Sequence, residues 1–94
     1  MDEPEKIRYT VRITGRVQGV GFRYSAVNKA QRLDIKGYVR NMPDGSVYLE
    51  IEGLSASVEQ MLAWCYKGPG TAWVDQVHAY KEPPLGYKKF SVKH

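Results

Sequence analysis

Residues 7–13 alternate strictly. Ile7, Tyr9, Val11 and Ile13 fall on one side, Arg8, Thr10 and Arg12 on the other, and a period of two marks a half-buried strand. Over residues 22–33 the period changes. Phe22, Ala26, Ala30 and Leu33 recur at helical spacing with polar residues between them, which predicts an amphipathic helix. "IKGYVRN", residues 35–41, reads as a second strand. In "MPDG", Pro43 pre-sets φ and Gly45 is free to take positive φ, so a tight turn follows. Val47, Leu49 and Ile51 then alternate with Tyr48, Glu50 and Glu52, completing a hairpin. "SASVEQMLAWCYKGPG" opens on serines expected to cap a second helix. Val58, Met61, Leu62 and Cys65 form its buried stripe, and Gly68 and Pro69 end it. A fourth strand is predicted from about Trp73 to Tyr80, and a short fifth segment carries Phe90 and Val92.

The order β-α-β-β-α-β is that of an α+β split βαβ sandwich. One mostly antiparallel sheet is expected to be covered on one face by two helices, with its other face open to water. The crossover through helix one should be right-handed. Strands one and two then run parallel, so the loop after strand one and the end of strand two share an edge of the sheet.

The chain has 94 residues, which suits one domain over residues 1–94, with the polar stretch 1–6 read as a flexible tail rather than a signal peptide. Hydrophobic residues are 43% and charged residues 26%, a balance that excludes a disordered or membrane-embedded chain. No apolar run approaches the ~20 residues needed to span a bilayer. A single cysteine, Cys65, rules out an internal disulfide and a multi-cysteine metal site, and fits a reducing, cytoplasmic setting. Fourteen Lys and Arg against ten Asp and Glu leave a net charge of +4, which favours an anionic partner without choosing one.

The stretch "GRVQGVGFR", residues 15–23, narrows that choice. It holds three glycines and an arginine near each end, and it lacks serine, histidine, cysteine and carboxylate. Glycines let successive N–H groups face one concavity, an anion-binding nest. The following helix adds unpaired N–H groups and the positive end of its dipole. Arg23 falls in the first turn, where a lone cation is disfavoured. Its side chain should lean back toward the loop, where a bound anion would turn the repulsion into convergence. The planar guanidinium suits phosphate. The glycines alone fit a plain strand-to-helix turn equally well. The loop does not match G-x-x-x-x-G-K-[ST], since no Lys with Ser or Thr follows a glycine, nor G-x-G-x-x-G, since Tyr24 stands where the third glycine would be.

"GRVQGVGFR" closely resembles the first signature of the acylphosphatase family, and "GYVRNMPDGSVYLEIEG", residues 37–53, resembles the second. "GPGTAWVDQV" looks like the family's link into its fourth strand. The resemblance spans about residues 7–92. It implies a ferredoxin-like fold and a hydrolase that cleaves small acyl phosphates to carboxylate and inorganic phosphate, with no metal and no organic cofactor; a monomer is the default expectation for a domain this small. It places the catalytic roles on Arg23 and Asn41. It places the phosphate cradle on Val17, Gln18, Gly19, Val20, Gly21, Phe22 and Arg23.

An acyl phosphate is a reactive mixed anhydride, so holding the phosphoryl group, neutralising it and placing water can suffice. Arg23 and the loop N–H groups would bind the non-bridging oxygens. Asn41 would orient the water through its amide, and the substrate's own phosphate would accept the water's proton. Asn41 shares the parity of Val39, so its side chain should lie on that face, although an asparagine closing the turn reads the same way.

The remaining polar residues carry no role. His78 and His94 are expected at exposed strand and tail positions, Cys65 in the core, Trp64 half-buried, and Lys88 and Lys89 in solvent. Arg16 borders the cradle and reads equally as surface charge. Glu50 and Glu52 are expected to point from strand three to the open face and stay solvated. On that basis an RNA-binding module of the same element order is disfavoured, since strand one has no stacking aromatic and the two glutamates would repel phosphates. The other alternative is a non-catalytic domain that binds an acyl or carbamoyl phosphate. Neither nucleic acid nor membrane is expected as a partner.

Overall fold

The structure is a computed structural model that describes residues 5–94. Seven elements follow one another: β1 (Lys6–Arg16), α1 (Phe22–Arg32), β2 (Lys36–Asn41), β3 (Val47–Leu54), α2 (Ser55–Cys65), β4 (Trp73–Glu82) and β5 (Phe90–Lys93). They form one five-stranded sheet in the order β4-β1-β3-β2-β5. β3 pairs antiparallel with both β1 and β2, β4 pairs antiparallel with β1, and only β5 runs parallel, beside β2. β1 and β2 therefore point the same way with β3 between them, and their C-terminal ends share one edge.

Register explains the core. Val11 pairs with Ala79 and Leu49, Leu49 with Val39, and Val39 with Val92. This single apolar row crosses all five strands. Phe22, Ala26 and Ala30 of α1 and Val58, Met61 and Cys65 of α2 are buried with it. In the next row, Ile13 and Asn41 both pair with Val47. Asn41 thus ends an apolar row on the covered face, as its parity with Val39 predicts.

Several expectations shift in detail. β2 begins at Lys36 rather than Ile35, and β4 runs on to Glu82. The tail expected over residues 1–6 lies outside the described residues for 1–4. Lys6, however, is the first residue of β1, and the Glu5 carbonyl accepts from the Ser55 N–H at 3.3 Å. No serine caps α2. Leu54 occupies the cap position in an extended conformation, with no side-chain hydrogen bond.

The largest correction concerns the outer face of the sheet. Glu50 and Glu52 are buried, not solvated. The Glu50 carboxylate accepts from Arg8 Nη1 at 2.8 Å and from the hydroxyls of Tyr87 (2.6 Å), Tyr48 (2.7 Å) and Tyr38 (3.1 Å). The Glu52 carboxylate accepts from the backbone N–H groups of Leu85, Gly86 and Tyr87 at 2.6–3.0 Å. Buried carboxylates persist only when their lone pairs are satisfied, and here the β4–β5 connection supplies the three Glu52 donors and the Tyr87 hydroxyl, while β1, β2 and β3 supply the other Glu50 donors. The connection crosses the outer face and delivers β5 to the edge of β2.

Candidate active site

Two elements position the site, and each follows from local sequence. β1 ends in the glycine loop, and α1 starts directly from it. Gly19 and Gly21 adopt φ of 74° and 77°. A Cβ at either would meet nothing within 4 Å, so the glycines are needed for backbone conformation rather than space. Gly21 is the left-handed N-cap of α1, and its carbonyl accepts from the Ser25 N–H at 3.0 Å. The N–H groups of residues 18–23 have no hydrogen-bond partner among the described residues. They form an array of free donors at a helix N-terminus, the arrangement that favours an anion.

Arg23 stands in the first turn of α1, and no acidic residue shares the first turn. Among the described residues it makes no ion pair; Arg8, Arg12, Lys36 and Lys81 take the carboxylates instead. Arg23 lines a cavity of about 430 Å³ together with Val17, Gly19, Gly21, Phe22 and Asn41. The two residues expected to act, 18 positions apart in sequence, thus border one space. The Asn41 side-chain oxygen is buried and has no hydrogen-bond partner among the described residues. A buried amide oxygen without a partner is costly unless a ligand or water uses it.

The loop is held from outside. Gln18 Nε2 donates to the carbonyls of Met42 and Ser46, both at 2.8 Å, which ties the loop to the β2–β3 turn. Thr71 Oγ1 donates to the Val20 carbonyl at 2.6 Å, tying it to the α2–β4 link. The Phe22 ring packs against Trp64 with centroids 5.1 Å apart. Asp44 organises the turn by accepting from the N–H and hydroxyl of Ser46 at 2.9 and 2.6 Å, and it pairs with Arg12. Those Ser46 bonds, foremost, hold the Asp44 carboxyl below its ordinary range, with the Arg12 charge adding to them.

Of the predicted cradle residues, Val17, Gly19, Gly21, Phe22 and Arg23 line the cavity, while the Gln18 side chain serves the turn and the Val20 carbonyl serves Thr71. Sequence reasoning missed four residues at the cavity: Tyr24, Val27, Val92 and His94. Val27 is one helical turn beyond Arg23 and was legible as its neighbour. Val92 and His94 were not, because nothing local shows that β5 adds beside β2. His78 and Cys65 lie where expected, exposed and buried respectively. Among the described residues no three His, Cys, Asp or Glu side chains cluster as metal ligands, and no helix is long and apolar enough to cross a membrane.

The strand order defines a small α+β sandwich, with free donors at the start of α1 and an Arg23 that makes no ion pair among the described residues. A family model for acylphosphatase matches residues 9–92. The acylphosphatase of Trichormus variabilis is 48% identical over 91 residues, covering 97% of this chain and 90% of that protein. The solved structure of an acylphosphatase from Coxiella burnetii superposes with a TM-score of 0.92 at 32% identity, covering 99% of this chain and all of that one. The acylphosphatase from Bacillus subtilis gives 0.90 at 29% identity, covering 94% and 99%. The chain belongs to the acylphosphatase family.

Proposed function

We propose that this protein is a hydrolase that cleaves the carboxyl–phosphate bond of small acyl phosphates. The observation that carries the proposal is the shared cavity: Gly19, Gly21, Phe22, Arg23 and Asn41 all border it, and among the described residues the loop N–H groups, the Arg23 charge and the Asn41 side-chain oxygen have no partner. The phosphoryl group sits on the loop, with Arg23 and the N–H groups of residues 18–23 on its non-bridging oxygens. Water held by Asn41 attacks phosphorus in line. A new O–P bond forms, the bridging P–O bond breaks, and the carboxylate leaves with the electron pair. One water proton passes to a phosphate oxygen of the substrate itself. Binding strengthens as charge redistributes in the transition state.

In this reading Arg23 and the backbone donors neutralise the charge, and the reaction is independent of metal. The protein works as a monomer of one domain, in a reducing cytoplasm that suits its buried thiol. Nucleic acid is no partner, although the reason differs from the one the sequence suggests. Glu50 pairs with Arg8 and both carboxylates are hydrogen-bonded beneath the β4–β5 connection, which covers the face on which bases would stack.

The test is hydrolysis of benzoyl phosphate with chelator present. Wild type should turn over, while Arg23→Ala and Asn41→Ala remain folded and lose nearly all activity. A folded wild type that binds inorganic phosphate without turnover would replace the enzyme with a phosphoryl-binding domain.

A further inference from the structure

Gln18 sits in the glycine loop, yet its side chain serves another element. Both hydrogens of its amide are spent on two backbone carbonyls, those of Met42 and Ser46. The same Ser46 carbonyl also accepts the Met42 N–H at 2.8 Å, closing the β2–β3 turn. Met42 is the covalent neighbour of Asn41. One amide therefore links the phosphoryl cradle to the residue beside the water-holding side chain. An uncharged NH₂ with two donors is what two converging carbonyls require. A carboxylate would set oxygen against oxygen, and an apolar side chain would leave two part-buried acceptors unpaired.

We propose that Gln18 is a positioning residue, one that sets the distance and angle between the phosphoryl cradle and the Asn41 amide. The inference rests on the acyl-phosphate reading of the site. Cradle and Asn41 belong to different elements, the loop after β1 and the end of β2. They share no backbone hydrogen bond, since β3 lies between the strands. The Gln18 amide is the side chain that bridges the gap. In-line attack tolerates little error: a misplacement of about 1 Å costs on the order of 100-fold in rate. Thr71 holds the same loop from its other side through Val20, so the cradle keeps an anchor when Gln18 is changed.

The experiment uses two variants, Gln18→Ala and the near-isosteric Gln18→Met, so that loss of folding in one leaves the other. For each, kcat and KM with benzoyl phosphate, inhibition by inorganic phosphate and the thermal midpoint are measured. The double variant Gln18→Met/Asn41→Ala is compared with the singles. Positioning predicts that kcat falls about 10- to 100-fold, while the phosphate inhibition constant stays within about threefold because the cradle is intact. The double variant should be no slower than Asn41→Ala alone, since the Gln18 effect runs through Asn41. If phosphate affinity falls as far as kcat, or the two substitutions add, Gln18 merely holds the loop and the proposal is overturned.

A second readout needs no turnover, which separates this proposal from the enzyme reading. In wild type, inorganic phosphate should shift the Asn41 side-chain amide resonance together with the Gly19 and Gly21 amides. In Gln18→Met the two glycine responses should persist while that of Asn41 collapses. An unchanged Asn41 response would overturn the proposal whether or not benzoyl phosphate is hydrolysed.

Discussion

Arg8 and Glu50 form an ion pair at 2.8 Å on the outer face of the sheet, with side-chain exposures of only 10% and 12%. Three tyrosine hydroxyls complete the shell around the carboxylate. Burial alone would push the Glu50 carboxyl up. The hydrogen bonds from Tyr87, Tyr48 and Tyr38, with the Arg8 charge, outweigh it and hold the carboxyl below its ordinary value. The folded protein therefore binds this proton less tightly than the unfolded chain does. Glu50 contributes stability above the unfolded carboxyl value, about 4.3, and loses it as pH falls through the lower folded value. Thermal midpoints measured from pH 7 down to about pH 3 should fall more steeply for wild type than for Glu50→Gln. Parallel slopes would remove Glu50 as a source of acid lability. Arg8→Met strands the carboxylate and should cost about 3 kcal/mol by denaturant unfolding.

Arg23 offers a fork of donors, and lysine offers a point charge. Arg23→Lys keeps the charge but cannot span two phosphoryl oxygens. A loss of about 100-fold in kcat/KM with benzoyl phosphate is expected. Retention of most activity would mean that charge alone suffices.

His94 borders the same cavity, so it is the natural rival for the proton-accepting role given to the substrate. If the phosphate accepts the proton, His94→Ala leaves kcat within about twofold, and the pH–rate profile stays flat near neutrality in both proteins. An inflection in wild type that disappears in the variant would hand that role to the imidazole.

Gly21 and Gly37 both take positive φ and differ in the space beside them. A Cβ at Gly21 meets nothing, so Gly21→Ala should cost only the left-handed conformation, about 1–2 kcal/mol, and should weaken phosphate binding. At Gly37 a Cβ would lie 1.9 Å from the Glu50 carbonyl oxygen in the neighbouring strand. Gly37→Ala should cost about 3 kcal/mol or more, because the sheet must part. Equal losses on denaturant unfolding would contradict the distinction.

Burial pushes the Cys65 thiol up to about 12. The native protein should resist thiol reagents at pH 8, and denaturant should release one reactive thiol. Modification of the folded protein at the rate of a free thiol would show that α2 opens readily.

Periodicity determined which residues make strands and helices, since Val11, Leu49, Val39 and Ala26 read as core from spacing alone and lie there. The glycine loop, Arg23 and the parity of Asn41 were legible for the same reason. Each depends on a residue type and its immediate neighbours. Only the tertiary structure decided what surrounds them. Glu50 and Glu52 alternate like solvent-facing residues, but donors from residues 83–89 cover them. Gln18 looks like one more cradle residue, yet its partners are 24 and 28 positions away. Val92 and His94 join the cavity because β5 adds parallel to β2. The physical reason is common to all three. Spacing reports which face a side chain takes, whereas its partner is set by which distant segment the folded sheet carries past it.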